Sequence, residues 1–61
     1  MINLSMNIVL LVSILNTYLR SKYDSLTSLC EIEDIDYQEL LEILEKNNYY
    51  FDEKLVQIKE K

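Results

Sequence analysis

Seven carboxylates crowd residues 25–48: Glu31, Glu33, Asp34, Asp36, Glu39, Glu42 and Glu45, against a single base, Lys46. Paired carboxylates can do general acid–base work when burial or a neighbour tunes one of them towards neutrality. Here their spacing places them at helix caps and on polar helix faces, so a solvated acidic surface is the expected reading. Glu31, Glu33, Asp34 and Asp36 are dense enough to draw calcium loosely. They lack the D-x-D-x-D-G spacing of a calcium loop, and Asp36 is wanted as a helix cap. The one thiol, Cys30, has no histidine to activate it, because the chain contains none. A nucleophilic cysteine needs such a base, so Cys30 reads as a small core residue. No His/Cys zinc set can be assembled either. Without glycine there is no phosphate-cradling loop. The expectation is therefore no catalysis, no cofactor and no metal.

Six bases remain to be placed. Arg20, Lys22, Gln38, Lys46 and Lys54 are the side chains that would touch nucleic acid if the chain bound it, with Lys59 and Lys61 adding to a basic wing. Duplex binding is dominated by Lys and Arg contacts to phosphate. A recognition helix bearing Gln38, Glu39, Glu42, Glu45 and Lys46 would meet phosphates with three acids and one base. DNA binding is thus the alternative reading rather than the first.

The elements that must hold these residues are mostly helical. Residues 7–22 form the first, with Asn7 as N-cap and Arg20 and Lys22 at the end that favours cations. Its apolar positions, Ile8 to Val12, Ile14, Leu15, Tyr18 and Leu19, spread wider than one stripe, as in a helix covered on more than one side. Residues 26–33 follow Ser25 as N-cap, with Leu26, Leu29 and Cys30 on one face. Asp34-Ile35-Asp36 is the turn. Asp34 stands where a helix-turn-helix usually has glycine, and Asp accepts left-handed backbone. Asp36 caps residues 37–46, with Glu39 three positions on as in a capping box. Asn47 and Asn48 end that helix in place of glycine.

The tail admits two readings. A hairpin would pair Tyr49 to Phe51 with Val56 to Ile58 around a polar four, giving a hairpin over residues 49–58. A last helix from Asp52 to Glu60 is the alternative. The hairpin is preferred, provided it packs on the helices, since a lone hairpin is marginal in water. The fold expected is mainly α: one domain over residues 1–61, three helices in a helix-turn-helix-like arrangement, and a short C-terminal β-hairpin.

Residues 1–19 carry no charge, and all eleven acids fall from Asp24 onward, for a net charge of −5. The apolar start is too short and too polar to span a bilayer, and no basic stretch precedes it as in a secretory signal. A single thiol agrees with a reducing compartment. A cytoplasmic location without membrane contact is expected. A chain this short buries little of its surface alone. The width of the first helix and the aromatic set Tyr18, Tyr23, Tyr37, Tyr49, Tyr50 and Phe51 exceed what so small a core should need, and aromatics are enriched at interface cores. The expected function is a protein–protein interaction module of unknown partner that self-associates as a homodimer through the first helix. Leu11, Leu15, Tyr18, Tyr23 and Tyr50 are the expected face.

The joint pattern Asn16-Thr17-x-Leu19-Arg20, Tyr23-x-Ser25-Leu26-x-x-Leu29-Cys30-Glu31, Asp34-Ile35-Asp36-x-x-Glu39-Leu40-x-Glu42-x-Leu44 and Tyr49-x-Phe51-Asp52 resembles a family of small bacterial proteins of about this length, known only as a domain of unknown function. The resemblance runs from about Leu4 to Ile58. It implies a bacterial, cytoplasmic protein and no known activity, so no functional residue is carried over. The family pattern has Asp-Pro where this chain has Asn7-Ile8, both of which start a helix. It has an acid where Ser21 stands, and Asn-Gln-Phe where Val56-Gln57-Ile58 stands. The last departure keeps a strand available and puts the turn contacts in doubt.

Overall fold

The computed structural model describes residues 2–61, so the first residue of the expected domain lies outside it. Each helix begins at a short polar side chain that accepts an otherwise unpartnered backbone N–H. Asn7 takes the N–H of Val9 at 2.8 Å and opens α1, Ile8–Ser21. Ser25 takes that of Ser28 at 3.1 Å and opens α2, Leu26–Ile32. Asp36 takes that of Glu39 at 3.1 Å and opens α3, Tyr37–Lys46.

The helix ends are made without glycine. At the close of α2, Asp34 turns left-handed with φ 59° and the Ile35 N–H reaches back to the Cys30 carbonyl at 2.8 Å. That is the six-to-one bond of a Schellman ending, and it turns Ile35 onto the core. Asn48 plays the same left-handed part after α3, with φ 63°.

The chain ends in an antiparallel hairpin, β1 Tyr49–Asp52 and β2 Gln57–Glu60, with Phe51 opposite Ile58 and Asp52 opposite Gln57. The alternative tail helix does not form. The second strand lies further along than expected: Val56 belongs to the loop, not to β2. Two contacts account for the shift. The Asp52 carboxylate accepts the N–H groups of Lys54 and Leu55 at 2.9 and 3.2 Å, which curls residues 53–56 into the turn. The Asn16 side chain then clamps Ile58 from α1, accepting its N–H at 2.7 Å and donating to its carbonyl at 3.1 Å.

Packing explains why so small a hairpin holds. β2 lies against α1 and β1 against α3, so the hairpin bridges the first and third helices, while α2 packs on both. Leu11, Leu15, Leu26, Leu29, Leu40 and Leu44 are the largest side chains with essentially no exposure. Burying each fully contributes about 2 kcal/mol against exposure to water. The segment before α1 adds a lid. Asn3 accepts from the Ser5 N–H at 2.9 Å, and that turn folds Ile2, Leu4 and Met6 back onto the core. No helix among the described residues is long and apolar enough to cross a membrane.

Candidate protein-interaction surface

The residues expected on one interaction face separate in the structure. Leu11 and Leu15 are 0% exposed and belong to the core with Leu29 and Leu40, so they line no free surface of the folded chain. The apolar width of α1 is taken up by its neighbours: the folded-back start of the chain, α2 and β2. Only Val9 (63% exposed) and Leu10 (58%) stand clear. The outer side of α1 is otherwise small and hydroxylated. There the Thr17 and Ser21 hydroxyls donate to the Ser13 and Thr17 carbonyls one turn back, at 2.9 and 2.7 Å.

Tyr18 and Tyr23 join a latch between the ends of α1 and α2. Their rings meet edge to face with centroids 6.2 Å apart. The Lys22 ammonium lies 5.0 Å from the Tyr18 ring centre and 5.6 Å from that of Tyr23, a cation–π arrangement. The Tyr23 hydroxyl donates to Glu33 Oε2 at 2.5 Å, and Lys22 Nζ sits 3.8 Å from the same oxygen. Donation to the Glu33 carboxylate, with burial and the charge of Glu33 behind it, pushes the Tyr23 phenol up to about 12. Sequence reasoning missed this pairing, because no local spacing links Tyr23 to an acid ten residues on. Tyr50, by contrast, is 40% exposed on the outer side of β1.

The bases fall into two groups, those beside an acid and those that stand exposed. Lys22 is held at Glu33, Lys59 lies 3.9 Å from Asp52, and Lys61 lies 3.1 Å from Glu45. Three of the six bases thus each carry an acid beside them. Arg20, Lys46 and Lys54 are exposed. Arg20 lies in the last turn of α1 and Lys46 in that of α3, while Lys54 rides the hairpin loop. Gln38, Glu39, Glu42 and Glu45 point outward on α3. A shallow depression there is lined by Gln38, Leu41, Glu42, Glu45 and Lys46, with Leu41 half-buried at its base. A larger depression between α1 and the hairpin loop brings together Asn16, Leu19, Arg20, Leu55, Val56 and Gln57.

Cys30 is buried, and its thiol is pushed up by that burial and by the nearby charge of Asp36. An apolar site of this kind makes a thiol inert rather than reactive. Among the described residues no three His, Cys, Asp or Glu side chains are grouped to hold a metal ion.

No curated protein and no solved structure matches the chain. The sequence profile of the family described as "Domain of unknown function (DUF4250)" matches residues 5–58, nearly the full length, and the chain belongs to that family.

Proposed function

We propose that this domain is a non-catalytic module that binds another protein, taking a basic segment on the outer face of α3. The observation that carries this reading is the set of side chains on that face. Where a helix-turn-helix would offer groove-reading groups, α3 offers Gln38, Glu42 and Glu45 with the one base Lys46 around the half-buried Leu41, and Glu39 is exposed on the same helix. A carboxylate-lined face raises the local concentration of cationic partners and repels a duplex. The apolar floor at Leu41 adds a contact that a free metal ion or a polyamine would not use. The absence of histidine and the burial of the only thiol support a binding role over catalysis.

The test is affinity capture from bacterial lysate with tagged wild type and the double variant Gln38→Lys/Glu42→Lys, each with and without nuclease. A protein retained by the wild type after nuclease, and lost by the double variant at unchanged melting temperature, is the expected result. Recovery of nucleic acid that nuclease removes would overturn it, as would capture indifferent to the charge reversal.

A further inference from the structure

The hairpin has two outer edges, and the chain closes only one of them. Backbone groups of an antiparallel pair alternate between facing the partner strand and facing away. Ile58 faces away from β1, since both its N–H and its carbonyl are bonded to Asn16. Its cross-strand partner Phe51 must then face away from β2 on the opposite edge. The Lys61 N–H to Asn48 carbonyl bond of 2.8 Å obeys the same alternation, three steps along. Among the described residues, no hydrogen bond reaches the outward N–H or carbonyl of Phe51.

Exposed edges invite another strand unless lysine, proline, a bulge or a covering element blocks them. β2 carries Lys59 and the Asn16 clamp. β1 reads Tyr-Tyr-Phe-Asp with a regular register, and carries no lysine, proline or bulge. Its one charge, Asp52, is already paired with Lys59. Beside Phe51 runs a groove between the start of α2, Tyr37 and the hairpin loop. Leu26, Tyr37, Phe51 and Val56 supply its apolar lining, and the exposed acids Asp24 and Glu53 also line it. Neither acid forms an ion pair among the described residues.

The geometry points to the outer edge of β1 as a docking edge for an extended segment of another protein, added as a third strand. Such strand addition draws affinity from main-chain hydrogen bonds and specificity from pockets for alternate side chains. The segment turns alternate apolar residues into the groove, and the lysine or arginine between them supplies positive charge that suits the acids Asp24 and Glu53. This edge lies on β1 and not on α3, so the two surfaces stand or fall by separate tests.

The chain is short enough for chemical synthesis, with ligation at Cys30, and this allows a single backbone atom to be changed. A short peptide of alternating lysine and valine is titrated into isotope-labelled wild type, into a chain N-methylated at Phe51, and into Gln38→Lys/Glu42→Lys. In the free wild type the Phe51 amide is expected to exchange with solvent quickly and the Ile58 amide slowly. Peptide should shift and protect the Tyr49 and Phe51 amides. The methyl removes one main-chain hydrogen bond and blocks the edge, and should weaken binding about tenfold or more. The α3 variant should bind as the wild type does. If the methylated chain melts early, an ester in place of the Phe51 amide removes the donor without the added bulk and carries the same expectation. A Phe51 amide already protected in the free protein, no shift at millimolar peptide, or binding indifferent to both backbone changes would overturn the proposal. So would a wild-type dimer, formed without peptide and abolished by the methyl, since the occupant would then be a second copy.

Discussion

Val56 is the position where the backbone and the side chain disagree, and the disagreement can be measured. Its φ of 51° is left-handed. That region costs an L-residue about 1–2 kcal/mol, with β-branched residues among the least tolerant. Glycine there escapes the cost but loses about 0.5–1 kcal/mol of unfolded-state freedom relative to alanine. The difference leaves Val56→Gly more stable than Val56→Ala by about 0.7 kcal/mol. In an ordinary extended strand the order is reversed, with alanine ahead by about 0.5–1 kcal/mol, so the sign alone decides. Val56 also packs half-buried against the core, and losing that contact costs both variants about 1 kcal/mol. Val56→Gly should therefore sit near wild type and Val56→Ala about 1 kcal/mol below it. Urea unfolding followed by circular dichroism should separate the two variants by about 0.5 M in midpoint, or about 4 °C in melting temperature. Val56→Ala as stable as Val56→Gly, or more so, would refute the left-handed turn and the hairpin register built on it.

Asn16→Ala should cost about 2 kcal/mol and speed exchange of the Ile58 amide, because both backbone groups of Ile58 lose their partner in a half-buried place; a loss under about 0.5 kcal/mol would mean that water replaces the amide fully. The Tyr23 phenol is raised from 10.0 to about 12, so the folded state holds this proton more tightly than the unfolded state. The stability it contributes is complete below pH 10 and is lost as pH rises through 12. Tyr23→Phe should flatten that alkaline fall in melting temperature and remove a step near pH 12 from the 295 nm absorbance curve. An alkaline fall as steep in Tyr23→Phe as in the wild type would refute the Glu33 pairing.

The helices were legible because their ends are written locally. Asn7, Ser25 and Asp36 each precede an apolar period, and Asp34 and Asn48 stand where the backbone turns left-handed. What escaped reading depends on contacts far apart in sequence. Asn16 looks like one polar residue inside an apolar helix, and its partner lies forty-two positions on. The fate of Leu11 and Leu15 turns on a non-periodic start of the chain that folds over the core, which no helical pattern announces. Val56 reads as a strand residue by type, yet the Asp52 turn uses it as the last residue of the loop.

On the proposed function, the acidic surface of α3 outweighs its helix-turn-helix shape. The core takes the buried face of α1, and the hairpin joins α1 to α3 through opposite strands. The two surfaces left with unmet chemistry are the outer side of α3 and the outer edge of β1. Glu42 lines the first, beside a Glu45 already paired with Lys61, and Asp24 and Glu53 line the second. A partner suited to either surface has to bring positive charge, and one suited to the second has to bring an extended backbone as well. A flexible cationic segment meets both demands. A rigid duplex, with its phosphates outermost and no free backbone donors, meets neither. Raising salt should accordingly weaken capture on the α3 face more than on the β1 edge, where hydrogen bonds and apolar contact carry more of the affinity.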